Sequence, residues 1–147
     1  MKKKKAIIIG ILFAAGISGF VIYGYFQATP ALDKQTAKYP QIEISPKSFN
    51  FGEIEFGKVV NYSFKIKNSG NEILEIKRVA TSCGCTTAKV DKEKINPGEE
   101  ADILVTYDTA AMGDGPHGKG QQERIIYVKS NDPANPQITA MIYAYVK

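Results

Sequence analysis

The chain has 147 residues, a formal net charge of +4, a single histidine, two cysteines and no tryptophan. This length suits one domain that buries its own hydrophobic core. The positive charge is concentrated at the N-terminus, because Lys2 to Lys5 are four of the 19 basic residues and the rest of the chain is electrically balanced. A nucleic-acid partner requires a basic face, so the composition argues against one.

The lysines form a short cytoplasmic tail, residues 1–5, in front of a predicted membrane anchor. Residues 6–26 contain no charged residue, asparagine, glutamine or proline. As a helix rising about 1.5 Å per residue, they would span the hydrocarbon core of a bilayer. The lysines favour a cytoplasmic N-terminus. Residues 25–30 make a poor cleavage site, so we expect an uncleaved signal anchor, with a cleaved signal peptide as the alternative. Both place the remainder outside the cytoplasm, in the periplasm or at the cell surface.

Four small residues recur at every fourth position of this anchor. They are Ala6, Gly10, Ala14 and Ser18. Such a stripe lets two helices approach closely and would allow a weak homodimer, although small residues are also common in membrane helices generally. Residues 27–40 carry two prolines and no sustained periodicity, so we interpret them as a linker. This leaves residues 41–147 as the outer domain.

The outer domain is predicted to be all-β, because its apolar residues alternate with polar ones. Three such alternating sets are Val60, Tyr62, Phe64 and Ile66; Ala101, Ile103, Val105 and Tyr107; and Ile138, Ala140, Ile142, Ala144 and Val146. Turn residues follow at 68–71, 96–99 and 130–133, and a break in the alternation at 77–79 predicts a β-bulge. With residues 41–52, 86–91 and 126–128, the pattern predicts about seven strands in an antiparallel immunoglobulin-like β-sandwich.

No catalytic constellation is found in the sequence. The single histidine, His117, lies in residues 112–120, a glycine-rich loop that makes a poor platform for a preorganised base. The carboxylates are scattered among lysines on polar strand faces, and no pair stands out as acid and base. We therefore expect a protein that is not an enzyme and has no cofactor-binding or catalytic residues.

The most unusual motif is Cys83-Gly84-Cys85. On a straight strand the two Cα atoms would lie about 6.6–6.8 Å apart, near the limit for a disulfide. Gly84 allows a bend, so a bridge could form in a small strained ring of the reducible kind. As thiolates the two sulfurs would suit Cu(I), whereas structural zinc needs more ligands than the chain offers. The alternatives are simple packing at a bend or contact with a partner. No acidic or basic group is predicted to tune the thiols.

Several motifs in order resemble one bacterial family. Residues 82–86 (Ser-Cys-Gly-Cys-Thr), 95–99, 105–108 and 130–133, with 51–54 and 64–70 upstream, resemble the domain of unknown function 1573 over residues 45–146. The resemblance implies an immunoglobulin-like domain of the Hydin and major-sperm-protein group, usually exported or membrane-attached, and it implies no catalytic residues. The loop of residues 112–120 departs from the family pattern.

A looser likeness concerns the copper-delivery proteins of cytochrome oxidase assembly. They share the plan of an N-terminal anchor, an outer immunoglobulin-like domain and a Cys-x-Cys pair. Their motif has aromatic residues where this chain has Gly84 and Thr86. The likeness is limited to this order of anchor, domain and cysteine pair. A shared fold does not determine function.

The last predicted strand offers a candidate contact surface. If its alternating apolar set faces the core, Met141, Tyr143 and Tyr145 face outward, and Tyr127 of the preceding strand lies beside them. Exposed tyrosine and methionine are typical of contact surfaces. We therefore expect a membrane-tethered binding or scaffolding module with a protein partner in the cell envelope. The alternative is a thiol-redox or Cu(I)-handling protein that acts through Cys83 and Cys85.

Overall fold

The structure is a computed structural model, and it describes residues 38–147. The predicted basic tail, the membrane anchor with its stripe of small residues, and the linker up to residue 37 lie outside the described residues. Among residues 38–147, no helix is long and apolar enough to cross a bilayer. Tyr39, predicted as linker, exchanges hydrogen bonds with Asn71, whose side-chain Oδ1 accepts from the Tyr39 amide at 2.9 Å.

The described residues form nine strands in two packed sheets. The strands are β1 (Ile42–Ser45), β2 (Ser48–Ile54), β3 (Val59–Asn68), β4 (Leu74–Thr81), β5 (Thr86–Val90), β6 (Lys94–Ile95), β7 (Glu100–Asp108), β8 (Gly120–Ser130) and β9 (Gln137–Val146). The first sheet has the strand order β1-β3-β7-β5, and the second has the order β2-β9-β8-β4-β6. The expectation of an all-β two-sheet sandwich is confirmed.

The core lies between the sheets, and the residues with a period of two build it. On β7 the predicted set from Ala101 to Tyr107 is buried throughout, while the residues between them are half-buried or exposed. Phe64 and Ile66 of the neighbouring strand β3, which pair in register with Ile103 and Ala101, are also fully buried. On the second sheet, β9 turns its predicted set inward, with Ile138 half-buried and the others buried. Alternation on both sheets thus places one apolar face against the other, as sandwich packing requires.

Aromatic rings join the two sheets at one side of the core. The rings of Phe49 on β2 and Tyr62 on β3 stack with centroids 3.7 Å apart and planes 14° from parallel. Phe64 meets Tyr62 edge-on at 4.8 Å, and Phe51 meets Phe49 edge-on at 4.9 Å. Since β2 and β3 belong to different sheets, this cluster ties one sheet to the other.

Two details of the predicted fold are wrong. The structure has more strands than the seven expected, because residues 41–52 form two strands and β6 is a short addition. The sandwich is also not wholly antiparallel, since β2 pairs with β9 in parallel. The cause is a change of sheet. Residues 46–47 carry the chain from β1 in the first sheet to β2 in the second, without reversing it into a hairpin.

The predicted bulge and turns are confirmed. The pairing of β4 with β8 shifts register between Ile76 and Arg78. Strand β8 ends at Ser130, and Glu99 closes a turn by donating its amide hydrogen to the carbonyl of Asn96 at 3.0 Å. Gly98 within that turn has φ +79°, a conformation that glycine adopts without strain. The local turn residues therefore stop the strands where the sequence predicts.

Candidate functional site

The two cysteines lie at one end of the sandwich, where the chain crosses from β4 in one sheet to β5 in the other. Cys83 and Cys85 form a disulfide with their Cα atoms 5.3 Å apart. This separation is shorter than on a straight strand, because residues 82–85 turn. Gly84 at the tip is exposed, with no atom within 4 Å of a Cβ built there. Cys83 is half-buried and Cys85 is 3% exposed.

Threonine side chains hold this turn in place. The Thr81 hydroxyl lies 3.0 Å from the Cys83 carbonyl oxygen and 2.7 Å from that of Thr86. The Thr86 hydroxyl lies 3.6 Å from Cys83 Sγ and 3.7 Å from Cys85 Sγ. The carbonyl of Cys85 accepts a hydrogen bond from the amide of Asp108 at 2.9 Å. The Thr86 hydroxyl thus lies within hydrogen-bonding distance of both sulfurs, and the backbone around them is anchored.

Arg124 of β8 points into this end of the sandwich. Its Nε donates to Cys85 Sγ at 3.0 Å, and its Nη1 and Nη2 donate to the carbonyls of Glu123 and His117. Nη2 also contacts the Gln122 side-chain oxygen. The guanidinium lies over the Tyr107 ring, 5.5 Å from its centroid. The prediction that no acidic or basic group is placed to tune the thiols is therefore wrong, since Arg124 contacts Cys85 Sγ directly.

This arginine was missed because the predicted strand began too late. Strand β8 begins at Gly120, whereas the alternating pattern predicts a strand only from Ile126. Arg124 lies in phase with Ile126 and Val128, so its side chain shares their inward face. Extending the period of two back by one step would have found it.

Tyr107 completes the polar cluster below the guanidinium. It is 1% exposed, and its hydroxyl has no hydrogen-bond partner among residues 38–147. Burial raises the pKa of the Tyr107 hydroxyl above its ordinary value, and the charge of Arg124 opposes that shift in part. The hydroxyl therefore stays protonated at neutral pH.

The glycine-rich loop closes over the same end of the molecule. The carbonyl of Lys119 accepts a hydrogen bond from Gln122 Nε2 at 2.6 Å, and the Lys119 ammonium lies 5.1 Å from the centre of the Phe56 ring. Gly118 is buried against the carbonyl of Gly113, where a Cβ would overlap it. The side chain of His117 is exposed, and this residue contributes only its carbonyl to the cluster.

No group of three or more histidine, cysteine, aspartate or glutamate side chains within residues 38–147 is arranged to hold a metal ion. Cu(I) capture would require both sulfurs as thiolates, whereas Cys83 and Cys85 share a disulfide. Copper binding by the reduced pair stays a prediction.

The candidate contact surface lies elsewhere, on the outer side of the second sheet. Register places Met141 opposite Ile125, and Tyr143 opposite Glu123, on neighbouring strands β9 and β8. Tyr145 is 44% exposed, and the other apolar members are half-buried. We call this surface the tyrosine face and define it as Ile125, Tyr127, Met141, Tyr143 and Tyr145. The sequence pattern missed Ile125, for the same reason that it missed Arg124.

Comparison with protein families gives one match. A family model described as "Protein of unknown function (DUF1573)" matches residues 42–146. No curated protein sequence matches the chain.

Solved structures with the same fold come from bacteria and from humans. A protein of unknown function from Porphyromonas gingivalis W83 is 24% identical, with a TM-score of 0.65 over 80% of this chain. The chain spans only 51% of that protein. The ASH/PapD-like domain 7 of human CEP192 is 12% identical, with a TM-score of 0.54, and the match covers 82% of this chain and 96% of that domain.

A third similar structure is the VesB protease of Vibrio cholerae. It is 15% identical, with a TM-score of 0.55, and the match covers 72% of this chain but 31% of the protease chain. At these identities the likeness concerns the fold alone. The family description names no activity, the CEP192 match is to a PapD-like β domain, and VesB shows that the fold also occurs within a protease chain.

Proposed function

The chain belongs to the DUF1573 family, and from this premise we propose that it is a binding module, tethered to the membrane, that contacts a protein of the cell envelope through the tyrosine face. The tether is the apolar segment of residues 6–26. The envelope location follows from the orientation that Lys2 to Lys5 favour. We also propose that the domain is a member of the Hydin and major-sperm-protein group of immunoglobulin-like domains.

The observation that carries the proposal is an apolar surface on the outer side of two inner strands of a sheet. The outer side of an antiparallel pair normally bears polar residues, whereas here it carries Tyr127, Met141, Tyr143 and Tyr145. Tyrosine and methionine are enriched at protein interfaces, since each combines a large apolar area with a polar or polarizable atom. The Tyr143 hydroxyl lies 3.3 Å from the sulfur of Met141, so the two side chains support each other.

Charged residues border the tyrosine face and give it the layout of an interface. Glu123 of β8 pairs in register with Tyr143 of β9, and Lys129 follows Tyr127 by two positions on β8. Arg78 of β4 pairs in register with Lys129. An apolar centre with a charged border is the usual anatomy of a protein interface. A broad sheet surface of this kind suits a folded partner rather than a small ligand, which needs a concave site.

Site-specific photo-crosslinking in living cells tests the proposal. A photoreactive phenylalanine analogue in place of Tyr145 should give a discrete crosslinked product, because that side chain is 44% exposed on the face. The matched control replaces Leu104, which is 51% exposed on the outer side of the other sheet. Adding Tyr143→Ser should abolish the product from position 145 while costing less than about 1 kcal/mol of folding stability.

The identity of the product decides the outcome. A product that mass spectrometry shows to contain one envelope protein supports the proposal. A product that contains two copies of this chain contradicts the proposed partner and assigns the face to a homodimer. Equal crosslinking from positions 145 and 104, or none from 145, contradicts the role of the tyrosine face.

A further inference from the structure

We propose that Cys83 and Cys85 form a reversible thiol-exchange site, in which an incoming thiolate attacks Cys83 and Arg124 stabilises Cys85 as the departing thiolate. The inference concerns the opposite side of β8 from the tyrosine face and does not depend on the proposed binding role. The molecule that reacts at this site is a dithiol, either a small molecule or a protein with two neighbouring cysteines.

Arg124 is a partly buried cation that has no anionic partner among the residues that the structure describes. None of the salt bridges among residues 38–147 involves it. Its N–H groups point at neutral acceptors, namely the Glu123 and His117 carbonyls, the Gln122 amide oxygen and Cys85 Sγ. A disulfide sulfur is a weak acceptor, whereas a thiolate would accept the same Nε–H as a charge-assisted hydrogen bond. The arrangement therefore favours the reduced form of Cys85.

The two sulfurs differ in access as well as in partners. Cys85 is 3% exposed and receives the Arg124 donor, while Cys83 is half-buried beside the exposed Gly84. An attacking thiolate therefore reaches Cys83 more easily. A leaving thiol departs faster when its pKa is low, and Arg124 contacts the sulfur that leaves. The Thr86 hydroxyl lies about equally far from both sulfurs and does not distinguish them.

The exchange takes place in two steps, in which atoms and electrons balance. First, a thiolate of the dithiol bonds to Cys83 Sγ, the Cys83–Cys85 bond breaks, and its electron pair remains on Cys85 as a thiolate. Second, the other thiolate of the dithiol attacks its own sulfur in the mixed disulfide and releases Cys83 as a thiolate, which takes up a proton. The dithiol is oxidised to a disulfide by two electrons, and the pair in this chain is reduced by the same two.

Within the described part of the chain, few other charged or titratable groups surround Cys85. The carboxylate of Asp108, on the neighbouring β7, opposes a thiolate, and it is partly engaged as the acceptor of the Ala110 amide at 2.9 Å. Tyr107 is neutral because burial raises its pKa. The side chains of Glu123 and His117 are exposed to solvent. Arg124 is thus the cation in direct contact with the sulfur.

The first experiment measures the redox equilibrium of the purified full-length chain in dithiothreitol buffers of graded composition. The reduced fraction is read by alkylation and mass spectrometry. Arg124→Gln should lower the equilibrium constant for reduction at least about tenfold, the equivalent of one charge-assisted hydrogen bond. Lys67→Gln, which removes an exposed positive charge on β3 of the other sheet, should leave it within about twofold. An unchanged constant in a folded R124Q chain would overturn the proposal.

The second experiment needs no variant, so it decides the matter even if R124Q does not fold. Thiolate absorbance near 240 nm, followed against pH in the reduced wild-type chain, should show one thiol with a pKa below the ordinary value of about 8.5. Two thiols that titrate at or above that value would overturn the proposal.

The third measurement locates the attack. Oxidised chain treated with reduced glutathione and quenched in acid should carry glutathione on Cys83. Glutathione on Cys85 instead would contradict the assigned order.

Discussion

Asp132 holds the first strand of the sandwich from 90 residues away, because its Oδ2 accepts a hydrogen bond from the amide of Ile42 at 2.9 Å. Its Oδ1 accepts two more, from the amides of Ala134 at 2.8 Å and Asn135 at 3.0 Å. Asp132 is 1% exposed. Burial alone would raise the pKa of its carboxyl, but the three amides outweigh burial and hold the pKa below its ordinary 3.8. A buried carboxylate thus fastens β1 to the turn before β9.

We expect Asp132→Asn to destabilise the fold by about 1–3 kcal/mol, because its amide nitrogen would face backbone donors. The contribution of the Asp132 carboxylate to stability is full above its ordinary pKa of 3.8 and is lost as pH falls through the lower pKa of the folded state. Urea unfolding at neutral pH and in acid should therefore show the variant and the wild type converging at low pH. Asp114→Asn, in the exposed loop, is the control and should unfold like the wild type. Equal stability of D132N at neutral pH would contradict the role of Asp132.

Asn68 at the end of β3 is fully buried and uses both ends of its amide. Its Nδ2 donates to the carbonyls of Glu72 at 2.8 Å and Ile95 at 2.9 Å, and its Oδ1 accepts from the amide of Gly70 at 3.0 Å. Asn68→Asp would turn a carboxylate oxygen toward two carbonyl oxygens. We expect a loss of about 2–4 kcal/mol at neutral pH, measured by denaturant unfolding.

The matched control for Asn68 is Asn61→Asp on the exposed side of the same strand. Its Oδ1 accepts from the Thr106 hydroxyl at 2.6 Å, and a carboxylate can accept equally well. This variant should lose less than about 0.5 kcal/mol. Similar losses at positions 68 and 61 would show that burial of the amide is not what matters.

The stacked rings of Phe49 and Tyr62 should contribute to stability as a pair. Phe49→Ala is expected to cost about 3 kcal/mol, because it leaves a cavity between the sheets. A double-mutant cycle with Tyr62→Ala should yield a coupling of about 0.5–1.5 kcal/mol beyond the separate losses. The same cycle between Phe49 and Phe56, which is packed under Lys119 instead, should give no coupling. Additive losses for the stacked pair would refute the contribution.

The orientation of the chain can be tested on intact spheroplasts. Because Lys2 to Lys5 favour the cytoplasm, added protease should remove the residues after Phe26. Full protection of the domain would reverse the predicted topology. Mass spectrometry of the mature protein provides a second check, since an N-terminus near Ala28 would show a cleaved signal peptide instead of an anchor.

Sequence alone determined the features that depend on near neighbours along the chain. The period of two identified the inward set of β9 and therefore the outward position of Met141, Tyr143 and Tyr145. The break at residues 77–79 predicted the bulge, and turn residues predicted where β8 ends. Each is local, because side chains alternate on a strand and glycine, proline and asparagine limit the backbone within a few residues.

Only the tertiary structure decided which distant residues meet. Nothing in the alternation shows that β2 leaves the first sheet to pair in parallel with β9, or that Asp132 reaches Ile42. Arg124 and Cys85 are 39 residues apart and come together because β8 and the β4–β5 turn share one end of the sandwich. The partner of a charged side chain depends on how the two sheets pack, and that packing results from contacts across the whole domain rather than from any one segment.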